Sequence, residues 1–591
     1  MGKKSLISII SLCVLMSLLT MVNINITHAE GGEENTYATD TLPDTAIFTK
    51  IDENGNIVEI SEDELNKSGI IKEIPTRKTR SIVSNEDVLK TKGVVNFRTK
   101  SSSSNTSYTE ADTGKSGYTN GTYAADGAYL GHNADRTKVK FMQAGVIGWV
   151  DADEVQVLDF SSNEVQTLSK YYVNNGRLYH GIVTNLKNSS YSSKLDCGPK
   201  PSYLKEGEEY YSYDGHYFYT YNNTNGYSTM LNDYRNDTRK NSVNANAPYY
   251  NYYQFLPQRS QSVYSATEIN NYINSKTSST SKMRNLGQSF IDNQNKYGVN
   301  AMVTIGIAAN ESAWGTSNIA QNKNNLFGHA AYDSDPNGSS NKYSTPAFSV
   351  YYHTSTFMSK QYLYPKNWKY NGGFLGDKAS GINVKYASDP YWGEKAAAHA
   401  WIMDKELGGK DAYRYTIGIK DRYNFQFTKS TIKRDAKDSS TSLYETKNYD
   451  SNDIISNYAF INLDNNVSNG YYKIQSDAPL NSGRTSIVNQ DQYSFSTSYG
   501  YISNNNVIIV SKGNNSSSDD IVEEPSYKKG DVNGDGNITA VDYMLIKNHI
   551  MGVKKMTGSV LERGDVNDDG NITAVDYMLI KNHIMGVKLL F

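Results

Sequence analysis

Residues 299–333 read VNAMVTIGIAANESAWGTSNIAQNKNNLFGHAAYD, and Glu311 is the first acid in that stretch. Met302, Ile305, Ala309 and Ala313 recur at spacings of three and four, which predicts an apolar helix. Glu311 falls at its C-terminal end, among Ala308, Ala309, Ser312 and Trp314. A carboxyl group set against tryptophan and apolar atoms loses hydration when it ionises, so its pKa rises. That protonation state lets a carboxylic acid protonate a glycosidic oxygen near neutral pH. On residue types alone a second reading stands beside it: a glutamate at a helix end is a solvated or capping residue. Asp333 and Asp335 in AAYDSDPNG, and Asp389 in YASDPYW, are the acids that could supply a second carboxylate. Asp389 reads equally well as an Asx-turn residue before Pro390.

A second chemistry lies at the C-terminus, where GNITAVDYMLIKNHIMGVK begins at Gly536 and again at Gly570. Asp531, Asn533, Asp535, Asn537, Thr539 and Asp542 occupy positions 1, 3, 5, 7, 9 and 12 of a loop. Asp565, Asn567, Asp569, Asn571, Thr573 and Asp576 repeat the pattern, and Gly536 and Gly570 fill position 6, where the chain must turn sharply. This is the all-oxygen ligand spacing of a calcium-binding EF-hand loop, with position 7 binding through its backbone carbonyl. It predicts two structural calcium ions and no cofactor for catalysis.

Several elements must position these residues. The chain has 591 residues, too long for one core. Lys3 and Lys4, an apolar run from Leu6 to Val22 and small residues up to Ala29 read as a secretory signal over 1–29. Residues 30–85 read as a polar leader or linker. Short apolar bursts over 86–160 (VVNFRTK, KVKFMQA, VIGWVDA, EVQVLDF) read as strands between polar turns. Residues 161–280 are rich in aromatics and end in a helix whose capping box is Ser265 and Glu268. Helical patterns follow near 281–296, 299–313, 354–363 and 393–407, giving a mainly helical unit over 281–411. Short strands return over 412–511, an acidic linker covers 512–527, and the repeated unit fills 528–591.

Three motifs carry a family resemblance. AANESAWGTSNIA, NNLFGHAAYDSDP and YASDPYWGEKAA, in that order between residues 308 and 397, resemble the endo-β-N-acetylglucosaminidases of glycoside hydrolase family 73, which act on bacterial cell walls. The resemblance implies a mainly α lysozyme-like catalytic domain with a small β-hairpin lobe, and Glu311 as general acid. It implies Asp333, Asp335 or Asp389 as the second acid, with Asp333 and Asp335 on the mobile lobe; the substrate's own 2-acetamido group is the other route. It gives Trp314, Asn325, Phe327, Tyr386 and Trp392 as substrate-binding residues. Trp314, three residues after Glu311, is placed to share its helix face as cleft wall or core. Trp392 stands where the family often has tyrosine, and His329 where an aliphatic residue is common.

The VNFRT…GWV…V order resembles bacterial SH3-like cell-wall domains, and 412–511 reads as a second such region, so the catalytic domain is flanked by all-β SH3-like modules. The duplicated loop–helix unit, with aspartate at position 12, resembles dockerins of clostridial-type secreted enzymes, an all-α EF-hand-like module that plugs into a cohesin domain. The resemblance implies Ala540, Val541, Lys547, Asn548, Ala574, Val575, Lys581 and Asn582 as partner-binding residues.

Net charge is −3, and near −5 without the two lysines of the signal, which gives no electrostatic case for nucleic acid. Cys13 leaves with the signal, so Cys197 has no intramolecular disulfide partner and reads as a structural thiol. No segment after the signal is long and apolar enough to span a bilayer. The combined expectation is a secreted, extracellular, wall-associated peptidoglycan hydrolase cutting the β-1,4 bond between N-acetylglucosamine and N-acetylmuramic acid. The alternatives are an N-acetylmuramidase cutting the neighbouring bond and a non-catalytic wall-binding adaptor. Stereochemical outcome, cohesin partner, wall type and the ligand of the SH3-like modules are not written in these motifs.

Overall fold

The computed structural model describes residues 48–51, 57–60, 86–100, 104–221, 224–329, 340–421, 429–448, 455–513, 529–533, 538–556, 559–567, 571–587 and 590. The signal segment 1–29 and the acids Asp333 and Asp335 lie outside the described residues. Within the expected leader, Phe48–Ile51 and Ile57–Ile60 pair as an antiparallel hairpin.

The first β unit is a seven-stranded antiparallel sheet. Its spatial order is Ser116–Thr119, Thr106–Glu110, Val146–Asp151, Lys138–Gln143, Asp126–His132, Gly93–Asn96 and Gln156–Asp159. The aromatic-rich region that follows is itself a sheet, ordered Ser193–Pro199, Arg177–Ile182, Lys170–Asn174, Glu209–Tyr211 and Tyr219–Thr220. A second seven-stranded antiparallel sheet is built from strands between Thr416 and Ser511. The first sheet is buried on both faces: Val94, Ala128 and Met142 enter one apolar cluster, and their strand neighbours Val95, Tyr129 and Phe141 enter another.

Between the sheets sits the helical unit. Helix Ala266–Lys276 opens with the Ser265–Glu268 capping box expected from the sequence. Helices Gly287–Tyr297, Ala301–Ser312, Asn318–Lys323 and Pro346–Tyr352 follow, the last continuing as a π-helix over His353–Tyr362. Helix Asn383–Tyr386 and the long helix Trp392–Glu406 close the unit. Among the described residues from 313 to 391 there is no strand, so the expected hairpin lobe is not seen there.

One core serves the helical unit and its neighbours. Val303, Ile307, Phe327, Phe374 and Ala400 are fully buried in it, and Tyr118, Tyr253, Ile419 and Ala459 join from the flanking regions. The C-terminal unit has its own small cluster, centred on Val532, Ile546, Met556 and Ile580. Its helices are Ala540–Ile550, Ser559–Gly564 and Ala574–Ile584, and Tyr543 stacks on Tyr577 at 4.2 Å. No helix among the described residues is long and apolar enough to cross a membrane.

Candidate active site and C-terminal loop site

Helix Ala301–Ser312 starts where the Asn300 side chain accepts a hydrogen bond from the Val303 amide. Its sequence is apolar on every side, and of its 12 residues only Asn310 is not buried. Gly306 is required by packing. A Cβ there would stand 2.5 Å from the Ala396 carbonyl oxygen, so the helix Trp392–Glu406 crosses it backbone to backbone. Ala396 and Ala400 are the small residues on the other side of that crossing. From the crossing, Glu311 lies five residues toward one helix's C-terminus and Trp392 four residues toward the other's N-terminus. At about 1.5 Å per residue, antiparallel helices bring those two positions level. Trp392 Nε1–H donates to Glu311 Oε1 at 2.5 Å.

The Glu311 side chain is the centre of this arrangement. The residue is 1% exposed. Burial, with a further push from the nearby Asp389 charge, moves its carboxyl up to about 8, against the pull of hydrogen bonds from Trp392 and Asn310. Its place at a helix C-terminus, where the macrodipole is negative, acts in the same direction as burial. Oε2 has no hydrogen-bond partner among the described residues. Glu311 is therefore neither a solvated helix-end residue nor a capping residue.

The residues singled out in sequence fall into distinct places. Tyr386 is buried and stacks on Trp392 with centroids 4.1 Å apart, backing the indole that holds Glu311. Asp389 Oδ1 accepts from the Tyr391 amide at 3.0 Å, the Asx-turn geometry, while Oδ2 pairs with Lys395 at 2.5 Å. Asn325 shapes a turn: its Oδ1 accepts from the Phe327 and His329 amides, and its Nδ2 donates to the His329 and Asn341 carbonyls. Phe327 stacks on His353 at 3.8 Å, and His329 bridges Tyr343 and His353. Burial drives His329 down to about 3, so it is a neutral core imidazole rather than an acid–base group.

Trp314 does not share Glu311's helix face. The helix ends at Ser312, and Ala313 and Trp314 both take left-handed backbone conformations, with φ of 48° and 56°. Two successive non-glycine residues in that region are a strained turn, at roughly 1–2 kcal/mol each. The turn sends Trp314 to pack edge-on against His399 and near Tyr272.

Sequence reasoning missed the group that seats the second helix. Glu394, two residues after Trp392, is 3% exposed and accepts from Tyr171 Oη at 3.2 Å and Cys197 Sγ at 3.1 Å, and meets His180 Nδ1 at 2.8 Å. Against the push of full burial, the electrostatic pull of His180 and then these hydrogen bonds hold its carboxyl below the usual range. All three partners come from the five-stranded sheet, so that sheet clamps the start of the helix carrying Trp392. Cys197 is a structural thiol, as expected, with its pKa pushed up by burial. Lys378, also missed, donates to the Ala387 and Asn383 carbonyls and so fixes the segment leading to Asp389.

In the C-terminal unit, Thr539 and Thr573 cap the two repeated helices, and Asp542 and Asp576 close capping boxes with them. Each position-12 aspartate also reaches back across its loop: Asp542 Oδ1 accepts from the Asn533 amide at 2.9 Å, and Asp576 Oδ1 from the Val566 amide at 3.0 Å. Both carboxylates are fully buried, and neither pairs with a cationic side chain among the described residues. Asp535, Asn537 and Asp569 lie outside the described residues. Among those described, no three acids, histidines or cysteines form a metal cluster. Ala540, Val541, Ala574 and Val575 are exposed at the helix starts, Lys547 is exposed, and Asn548, Lys581 and Asn582 are half-buried. Met544, Met551, Met578 and Met585 extend that exposed apolar surface in matching pairs.

Residues 287–405 match the family model described as mannosyl-glycoprotein endo-beta-N-acetylglucosaminidase, and residues 529–585 match the dockerin type I domain. Two Streptococcus pneumoniae proteins, from strains TIGR4 and R6, are each 30% identical over 287 residues and are named for an inferred endo-beta-N-acetylglucosaminidase activity. The match covers 47% of this chain and 36% and 34% of theirs, so the chain spans about a third of the length of these relatives. Among solved structures, Staphylococcus aureus autolysin E in complex with the disaccharide NAG-NAM aligns at 19% identity over 26% of this chain and 73% of that one, with a TM-score of 0.22. The same protein with a muropeptide aligns with a TM-score of 0.21, and such scores do not establish a shared fold. The chain thus carries a glucosaminidase domain over residues 287–405 and a type I dockerin domain over residues 529–585.

Proposed function

We propose that this protein is a secreted peptidoglycan hydrolase that cleaves the β-1,4 bond between N-acetylglucosamine and N-acetylmuramic acid, with Glu311 as general acid. The observation that carries the reading is the Glu311 carboxyl itself, buried, raised to about 8, with one oxygen held by Trp392 and the other without a partner. At neutral pH it is protonated. Because the indole N–H occupies Oε1, the proton belongs on Oε2, which is the oxygen free to address a glycosidic bond. Transfer of that proton to the leaving oxygen lets the C–O bond break without expelling an alkoxide, and leaves a carboxylate that can then accept a proton from water. Reaching Oε2 requires its cover to open on substrate binding. Asp389 has the two partners of a structural turn residue. Its role in this reading is to hold the Tyr386–Trp392 segment and to keep Glu311 protonated, and the second catalytic group is then Asp333 or the substrate's acetamido oxygen. Tyr386, Trp392, Asn325 and Phe327 shape the cleft in a lysozyme-like domain, and the flanking β units act as SH3-like wall-binding modules.

The C-terminal unit docks the enzyme elsewhere. Asp531, Asn533, Asp535, Asn537, Thr539 and Asp542 would hold one calcium ion, and Asp565, Asn567, Asp569, Asn571, Thr573 and Asp576 the other. The donor set is all oxygen, and buried Asp542 and Asp576 have no cationic side chain to neutralise them among the described residues. The ions would fix the loops against the helices that present Ala540–Val541 and Ala574–Val575 to a cohesin domain. The experiment for the catalytic reading is mass analysis of fragments released from purified wall by wild type and by Glu311→Gln. New reducing ends on N-acetylglucosamine, absent with the variant, are expected. Reducing ends on N-acetylmuramic acid would make it a muramidase, and release by the variant would remove Glu311 from the mechanism.

A further inference from the structure

The five-stranded sheet has a second face that the catalytic site does not use. Tyr171, Val173, Leu178, His180 and Ile182 point inward and are buried. Tyr172, Tyr179 and position 181 alternate with them and point outward. A Cβ at Gly181 would stand 2.6 Å from Cγ and Cδ2 of Tyr191 and 2.7 Å from its Cδ1. Near-equal distances to three adjoining ring atoms mean that the ring lies face-down on the strand, which only glycine permits. The Tyr172 ring is 3° from parallel to Tyr191, with centroids 6.0 Å apart. The Tyr179 ring is 16° from parallel to Tyr172 at 5.3 Å. Three tyrosine rings thus lie along the outer surface of the sheet, each half-exposed. The Tyr172 and Tyr179 hydroxyls make no hydrogen bond to the described residues, so they are open to a ligand.

The rim of this surface carries two ion pairs and an exposed cation, Lys194, which lies opposite Gly181 in the ladder. Lys170 pairs with Glu209 at 2.7 Å, and Arg177 with Asp196 at 2.7 Å. Tyr221, 44% exposed, lies under Lys170 Nζ at 3.7 Å. Paired ions offer N–H groups and lone pairs without net charge. Such groups can hydrogen-bond the hydroxyls of an uncharged polar ligand. A stepped aromatic surface edged by hydrogen-bonding groups matches the two sides of a pyranose, whose axial C–H face is apolar and whose edge carries hydroxyls.

We propose that Tyr172, Tyr179 and Tyr191 form a glycan-binding platform for the N-acetylated aminosugar rings of a cell-wall strand, separate from the cleft at Glu311. This rests on the glycosidase reading for the identity of the glycan. Because the inner face of the same sheet holds Glu394, a strand gripped on the outer face is held at a fixed distance from the catalytic helix.

The test uses the full chain carrying Glu311→Gln, so that nothing is cleaved, and peptide-free glycan strands as the probe. Adding Tyr172→Ala, Tyr179→Ala and Tyr191→Ala should weaken co-sedimentation about tenfold or more, a difference of one decade in Kd. The corresponding triple change to phenylalanine, which keeps the ring faces, should retain most of the binding. In the Glu311 background, the triple alanine variant should hydrolyse a short soluble glycan at an unchanged rate. If the triple alanine protein does not fold, Tyr179→Ala alone decides, since its ring stacks only on Tyr172. Undiminished retention of the folded alanine variant on the strands would overturn the platform. A wild type that cuts no wall would count against the glycosidase reading, and the platform would still be judged on retention alone.

Discussion

Glu311→Gln should make the fold more stable at neutral pH while removing catalysis. The carboxyl sits near 4.5 in an unfolded chain and at about 8 in the native protein. Below 4.5 both states hold the proton and no penalty arises. Above it the unfolded chain releases a proton that the native chain must keep, so stability falls as pH rises, until the native group also ionises near 8. Between 4.5 and 7 this amounts to about 2.5 units at ~1.4 kcal/mol each, or roughly 3 kcal/mol lost by wild type at pH 7. The figure depends little on where the upper pKa lies, provided it is at or above 7. Glutamine is neutral throughout and still offers an amide oxygen to the Trp392 N–H, so it keeps the contact and escapes the penalty. Four of the five tryptophans, Trp314, Trp368, Trp392 and Trp401, lie within residues 281–411, so denaturant unfolding read by their fluorescence reports on this unit. The variant should gain roughly 3 kcal/mol over wild type at pH 7 and close to nothing at pH 4.5. A variant less stable than wild type at pH 7, or a gain that does not change with pH, would refute the reasoning.

Asp389→Asn removes a charge that raises the Glu311 pKa, so the alkaline limb of the activity profile should move to lower pH with a modest change in maximal rate. A loss of about a thousandfold at every pH would instead make Asp389 the second catalytic group. Glu394→Ala strands three buried donors and should destabilise the catalytic unit by about 3 kcal/mol, measured by the same fluorescence. Calcium chelation should melt residues 528–591 and abolish cohesin binding, leaving glycan cleavage intact. Binding that is equal with and without calcium would remove the metal from the docking step. Substituting Ala540–Val541 or Ala574–Val575 alone should leave cohesin binding measurable, because the two exposed pairs are equivalent, and changing both should abolish it.

The helices were legible in sequence because their signals are local. The Ser265–Glu268 box and the apolar spacing around Met302 and Ile305 need only neighbours within a turn or two. The Glu311 environment was legible for the same reason, since apolar residues surround it in the chain itself. The reading of Trp314 went wrong at one residue: spacing alone continued the helix past Ser312, whereas the chain turns left-handed there. What the sequence did not disclose are contacts between distant segments. Glu394 meets Cys197 and His180 across 197 and 214 residues, and no periodicity in either segment announces the other. Histidine, cysteine and tyrosine on three neighbouring strands look like ordinary core residues until the carboxylate arrives from outside.

The sharing of one core across segments bears on how far each part can travel between proteins. The glucosaminidase match ends at residue 405, but the core that supports it includes Tyr118, Tyr253, Ile419 and Ala459. A fragment cut at the match boundaries would bare Glu394 and strip Trp401 of its ring partners Tyr253 and Tyr413. The dockerin cluster of Val532, Ile546, Met556 and Ile580 draws on its own segment. Transplanted to another chain it would take its whole interior along. Of the two domains this protein carries, only the small one is a portable cassette; the catalytic one is heritable only together with the sheets on either side of it.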